Sequence, residues 1–143
     1  MSILSIATSG LSAASLRVSV AASNIANAQT TGPLPASAGS TNSGIAPTFP
    51  AAYVPLRVDQ VSQSSASTPG GTFATVSAVS PSYTAQSDPS APFANQDGLV
   101  AAPNVDLVSE FAELATAKYS FIANAKVIQA YAETQDTLLD IKT

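Results

Sequence analysis

With 143 residues the chain has room for one compact domain, or one small domain with long appendages, and cannot hold two ordinary enzyme domains. Apolar residues make up 45% of it, but 27 of them are alanine and aromatics are only 6%, so the core they can build is thin. The net charge of −4 with five basic residues argues against a nucleic-acid backbone as ligand, and the lack of Cys and His removes disulfides, thiolate chemistry, Ser-His catalysis and the commonest metal ligand.

Charged side chains are 10% of the chain, well below the usual quarter, which points to a surface that is neutral or covered by other chains. No unbroken run of apolar residues approaches the roughly 18 that a membrane helix needs, and Met1 to Ala7 lacks the basic start and long apolar stretch of a cleaved signal peptide, so no transmembrane segment is expected.

Three segments follow from composition: an N-terminal helix over 1–30, a linker and β-hairpin region over 31–102, and a long C-terminal helix over 103–143. All ten prolines lie between Pro33 and Pro103, and only Gly10 of the seven glycines lies outside the middle, so both ends are free to be helical. The fold expected is mainly α with a small β or irregular insert, the two terminal helices forming a coiled-coil-like pair and the Pro/Ser/Gly-rich centre carrying one short hairpin.

In the first segment Leu4, Ala7, Leu11, Ala14, Val18, Ala21, Ile25 and Ala28 recur at three and four, a heptad seam. Serines at 2, 5, 9, 12, 19 and 23 form a second, small and neutral row, and Arg17 is the only charge before Arg57. Gly32 and Pro33 stop the helix. Arg17 is read as a bidentate partner for a carboxylate of the C-terminal helix or of a neighbour, against a solvated alternative. Asn24 and Asn27, beside the seam and near the break, admit two readings: fixed inter-helix or subunit hydrogen bonds, or capping of their own helix end.

Thr31 to Pro50 is rich in Pro, Ser, Ala and Gly and reads as an extended or mobile linker. Val54, Leu56 and Val58 alternate within Tyr53 to Val61, suggesting a strand that Pro55 confines to an edge, and Phe73 to Val79 alternates after the turn-like Thr68-Pro69-Gly70-Gly71. Asp88 to Asp97 lacks the ligand spacing of a calcium loop and reads as a turn-rich approach to the last helix.

That helix is placed from Val105 to Ile141, about 55 Å at about 1.5 Å per residue, with Pro103-Asn104 as N-cap. Leu107, Phe111, Leu114, Phe121, Ala125, Ile128, Ala132 and Leu139 form its seam, leaving the Tyr119, Ile122 and Tyr131 side for neighbouring subunits. Glu110 and Glu113 share a face, as do Glu133, Asp136 and Asp140, but no pocket signal accompanies them, and they are read as solvated acids rather than a hydrolytic pair.

Two stretches carry a resemblance. Ser9-Gly10-Leu11-Ser12-Ala13 with Arg17, Val20 and Ala22-Ser23-Asn24-Ile25-Ala26-Asn27-Ala28, and Pro103-Asn104-Val105-Asp106-Leu107-Val108-Ser109-Glu110 with Tyr119 and Ala123-Asn124-Ala125-Lys126-Val127-Ile128, resemble the two ends of the flagellar rod and hook axial proteins. The short length and the lead-in Asp88-Pro89, Pro92-Phe93-Ala94-Asn95 and Asp97-Gly98-Leu99-Val100 look most like the C-type proximal rod members, the B type being the alternative.

The resemblance implies a non-enzymatic structural subunit of the basal-body rod, co-assembling helically with copies of itself and other rod proteins into the drive shaft between motor and hook. It further implies export through the flagellar type III apparatus without a cleaved signal, a periplasmic location and contact with the motor's MS ring. An export or assembly accessory is a further alternative, and a carboxylate hydrolase a remote one. No cofactor or metal is expected. The interface residues inferred are Leu4, Leu11, Arg17, Val18, Asn24, Ile25, Asn27, Asn104, Val105, Leu107, Phe111, Leu114, Phe121, Asn124, Ile128 and Leu139.

Overall fold

In a computed structural model that describes residues 2–35, 49–65 and 68–141, the chain runs α1 (Ile3–Asn27), β1 (Leu56–Ser65), β2 (Thr68–Ala78), β3 (Tyr83–Ser87), β4 (Leu99–Pro103) and α2 (Leu107–Asp140). Two long helices are present, but the mainly α reading with a single hairpin is corrected: β1–β2 and β3–β4 form two separate two-stranded antiparallel sheets. The second sheet escapes periodicity because β3 is exposed at every residue while β4 is buried from Val100 to Pro103, so neither strand alternates.

The coiled-coil-like pairing is also corrected. The helices pack antiparallel, Asn24 meeting Glu110, Arg17 meeting Glu113 and Gly10 lying against Asn124. The buried positions of α1 are Ala7, Ala13, Ala14, Val20, Ala21 and Asn24, whereas Leu4 is exposed and Leu11, Val18 and Ile25 are half-buried. The reason is that α1 has two neighbours, α2 and the β1–β2 hairpin, so it buries a broad face of small residues rather than a narrow stripe of large ones. On α2 the inner positions are Glu110, Glu113, Leu114, Ala117, Ser120, Asn124 and Ile128, of which only Ala117 is fully buried.

Local chemistry sets the helix ends. Ser2 caps α1, its Oγ accepting from the Leu4 N–H at 3.3 Å. The cap of α2 is Asp106 rather than Asn104: its carboxylate accepts from the Val108 N–H at 3.1 Å and the Ser109 hydroxyl at 2.7 Å. Those bonds, that from Ser109 foremost, hold the Asp106 carboxyl below its usual range. Asn104 instead ties β4 to the start of β3, its Nδ2 donating to the Pro81 carbonyl at 2.9 Å and its N–H to that of Ser82.

The first part of the neutral serine row is quenched within α1, since Ser5, Ser9 and Ser12, with Thr8 beside them, donate to carbonyls three or four residues earlier. Ser9 also receives the Thr72 N–H at 3.1 Å and so fixes β2 on the helix. The turn expected at Thr68 to Gly71 lies inside β2, where Gly70 and Gly71 hold φ of +94° and +106° and the pairing register shifts between Ser62 and Ser64. The strand expected from Tyr53 begins at Leu56; Pro55 is buried just before it, and its carbonyl accepts from the Val79 N–H.

Of the Pro/Ser/Ala-rich segment, residues 36–48 lie outside those described. Its flanks are anchored beside the end of α1: Gly32 exchanges both backbone hydrogen bonds with Ala101 of β4, and the Tyr53 N–H donates to the Thr30 carbonyl. α1 is long and apolar enough to cross a bilayer by length and composition, with a mean hydropathy of 1.4 over its best window, because Ala, Ser and a single Arg average to an apolar value without forming an unbroken run.

A Cβ at Gly32 would sit 2.2 Å from the Ala52 nitrogen and 2.8 Å from the Pro50 carbonyl oxygen, both backbone atoms that cannot swing aside. At Gly10 the obstacle is the end of the Asn124 side chain, and alanine there gains up to about 1 kcal/mol of helix propensity. Gly32→Ala is therefore expected to cost about 3 kcal/mol or more, and Gly10→Ala less than about 1 kcal/mol, with denaturant unfolding followed by circular dichroism as the measure. Equal losses would contradict the close approach at Gly32.

Candidate functional site

The most specific arrangement is polar and lies where α1, α2 and the lead into β1 converge. Asn24 is fully buried, and its carboxamide uses its full hydrogen-bonding capacity. Nδ2 donates to the Leu56 carbonyl and to Glu110 Oε1, both at 2.7 Å, while Oδ1 accepts from the Leu56 N–H and the Tyr53 hydroxyl, both at 3.0 Å. The Leu56 backbone dictates the amide's orientation, since its N–H requires an acceptor and its carbonyl a donor. As the Tyr53 proton goes to Asn24, the Ser23 hydroxyl, 3.0 Å away, donates to the Tyr53 oxygen. Among the described residues no buried side-chain polar atom lacks a partner.

Two turns earlier on α1, Arg17 grips Glu113 with Nε on Oε1 and Nη2 on Oε2 at 2.9 Å, a bidentate pair whose arginine side chain is 16% exposed. Hydrogen bonding to Arg17 holds the Glu113 carboxyl below its ordinary value and raises the guanidinium. Glu110 goes the other way, because burial outweighs the Asn24 hydrogen bond and the charges of Glu113 and Asp106 add to the upward push. The reading of these two glutamates as solvated acids is thereby corrected: both are half-buried and bonded to α1, one by a cation and one by an amide.

Around this junction lie apolar surfaces that stay exposed among the described residues. Val108, Phe111, Tyr119, Phe121 and Ile122 stand exposed along α2, Phe111 at 58% and Tyr119 at 71%, and Ile3, Leu4 and Ile6 do so at the start of α1. Between the helices runs a cleft of about 530 Å³, lined by Val18, Leu114, Phe121 and Ile122 with Lys118 at its rim. Among the described residues no group of His, Cys, Asp or Glu is placed to hold a metal ion.

The residues inferred from sequence are scattered over these two environments. Arg17 and Asn24 sit in the polar junction, and Asn124 lies against Gly10. Asn27 turns back on its own helix end, donating to the Ser23 carbonyl at 2.9 Å and accepting from the Thr30 hydroxyl. Leu11, Val18, Ile25, Leu114 and Ile128 are half-buried, as are Asn104 and Val105 at the strand-to-helix join, whereas Leu4, Leu107, Phe111, Phe121 and Leu139 are exposed. Sequence reading missed Tyr53 and Ser23; a lone tyrosine beside Pro55 after a long low-complexity stretch is the signal that could have marked an anchor.

Residues 4–33 match the sequence family described as Flagella basal body rod protein. Residues 96–141 match the one described as Flagellar basal body rod FlgEFG protein C-terminal. The first spans α1 and reaches Gly32; the second spans β4 and α2, so the matches cover the two halves that meet at Asn24 and Glu110. Comparison with curated proteins gave no match.

Removing the carboxamide strands the Leu56 N–H and carbonyl together with Glu110. Asn24→Ala is expected to lose about 3 kcal/mol or more, and Asn24→Asp at least as much, because the second oxygen would face two acceptors. Thermal unfolding at neutral pH is the check, and a loss below about 1 kcal/mol would mean that the junction is not the organising contact.

The two glutamates impose opposite pH dependences. A carboxyl whose pKa folding raises penalises the fold above that value and is relieved as pH falls toward the ordinary 4.5; one whose pKa folding lowers supports the fold above 4.5 and loses that support as pH falls further. Stability is thus expected to rise slightly on acidification toward about 4.5 and to fall below it. Glu110→Gln, which keeps an acceptor for Asn24, should flatten the first limb, and Glu113→Gln should flatten the second. Unfolding temperatures from pH 3 to 8 for the three proteins decide the matter, and an unchanged profile in either variant would contradict its assignment.

Proposed function

We infer the role of this chain from the family to which it belongs, the flagellar basal body rod proteins, whose two characteristic ends match about half of its length. As such it is a structural component of the bacterial flagellum, located at the basal body and assembling with other rod and basal-body proteins. Within that family we propose that it is a proximal rod subunit of the C type, packing helically with copies of itself and with other rod proteins into the shaft that carries torque from motor to hook.

Two features support the narrower reading. Between α1 and α2 the described strands make only two small sheets, so the chain lacks the bulk of a large inserted domain. A tube under torque needs helices with several lateral partners, and heterologous contacts that do not close on themselves generate such tubes. Passage through the type III apparatus without a cleaved signal, and attachment at the MS ring, belong to the same proposal. The B type is the alternative.

The observation that carries the proposal is the division of labour on α2: its inner face packs on α1, while Phe111, Tyr119 and Ile122 on other faces stay exposed among the described residues. Phe111→Glu should therefore leave the unfolding free energy of the isolated chain within about 0.5 kcal/mol of wild type while abolishing swimming and recovery of the protein in purified basal bodies. Export is monitored separately in a strain blocked in rod assembly. Wild-type incorporation of Phe111→Glu would overturn the assembly-surface reading.

A further inference from the structure

α1 ends at its Ser2 cap, but the antiparallel α2 continues past that level. Tyr131 is the last half-buried residue of α2; 132–140 are exposed throughout, a projection of about 13 Å at about 1.5 Å per residue. It carries Leu138 and Leu139, 56% and 65% exposed, and Glu133 and Asp136 one turn apart on one side. Every acidic side chain of α2 nearer its start is engaged by α1, so the projection concentrates the negative charge that α2 still offers outward.

The cleft between the helices has the complementary character. Its walls are Val18, Leu114, Phe121 and Ile122, and Lys118 at the rim makes no ion pair among the described residues. Lys126, two turns along the same helix, is exposed as well. At about 530 Å³ the cleft admits one or two large aliphatic side chains, and Lys118 at its edge, with Lys126 beyond it on α2, favours an acidic flank on whatever enters.

Resting on the assembly reading, we propose that the occupant of this cleft is the projecting end of α2 from a second copy of the same chain. Leu139 enters between Val18, Phe121 and Ile122, while Glu133 and Asp136 face Lys118 and Lys126. The contact is heterologous: each copy offers one projection and one cleft on different parts of its surface, so it repeats from copy to copy instead of closing a pair. Apolar burial supplies the attraction, and the exposed charges set polarity and register.

The chain contains no cysteine, which allows a direct test. Full-length Leu139→Cys and Ile122→Cys proteins, mixed at high concentration and treated with a short bis-maleimide, are expected to give a mixed dimer at several times the yield of a Leu139→Cys and Gln60→Cys mixture, Gln60 being exposed on the hairpin. Lys118→Glu in the cleft-bearing partner should lower that yield roughly fivefold, and Asp136→Lys in the other partner should restore it. Both positions are exposed, and circular dichroism confirms that each variant keeps the fold.

A yield no higher than the Gln60 control overturns the proposal, as does charge reversal without rescue, or a cross-link that forms only when a different rod protein is added. Chain that enters basal bodies without the 139–122 cross-link sinks this contact alone and leaves the assembly reading standing. Chain absent from basal bodies sinks that reading, whatever the cross-link shows.

Discussion

The carboxamide of Asn24 is where four parts of the chain are held at once: α1, which carries it; Glu110 of α2; the backbone of Leu56 at the start of β1; and Tyr53 in the strap that returns from the low-complexity segment. A buried amide is tolerated only when each of its donors and acceptors is met, so its burial imposes a geometric condition on all four. Sliding α2 by one turn along α1 would separate Asn24 from Glu110 and Arg17 from Glu113 together, leaving a buried amide and a half-buried acid unpaired. Alanine faces alone could not impose that register, because one alanine is much like the next; the polar pairs discriminate between registers that apolar packing would accept equally.

The small residues around that junction have a matching role. Gly10, Ala14 and Ala21 bring the α1 backbone close enough to α2 for the short side chains of Asn24 and Asn124 to reach across, which leucine at these positions would prevent. Close approach limits the apolar area each residue removes from water, about 25 cal/mol per Å², so the α1–α2 contact contributes less per turn than a leucine seam would. The hairpin on the other side of α1 and the bridge from Gly32 to Ala101 add the remaining support.

Both helices were legible in the sequence because breakers are confined to the middle and three-and-four spacing persists at each end; their partners were not. Periodicity marks which positions are apolar, and its small members Ala7, Ala14 and Ala21 are buried, yet Leu4, Phe111 and Phe121 satisfy it and stay exposed while burial also went to Ala13, Ala117 and Asn24, where size and hydrogen bonding decided. Arg17 was readable as an ion-pair member because it stands alone in a neutral helix, although which carboxylate it meets depends on register. The β3–β4 sheet was not readable: Tyr83 to Ser87 repeats no large apolar residue on either face, and Leu99 to Pro103 is apolar on both, so neither shows the alternation that identifies a strand with one wet side. The pairing of β4 with Gly32 is a contact between residues 69 positions apart, which no local window contains.

The distribution of side-chain size has an energetic consequence that links fold to assembly. A bundle whose interior is mostly alanine gains on the order of 1 kcal/mol for each such residue buried, whereas leucine or phenylalanine would give two or three times as much, so the chain by itself holds back much of its hydrophobic stabilisation. The large side chains that could supply it, Phe111, Tyr119, Phe121 and Ile122 among them, face outward and return it only against another surface. On the assembly proposed above, specificity and affinity are carried by different residues: Asn24 and the Arg17–Glu113 pair define the shape inside one chain, and the bulky exposed residues are left to supply the attraction between chains. On the export route proposed above, that order of events is useful, because a chain that gains most of its apolar burial only on assembly has little tendency to collapse or aggregate before it arrives.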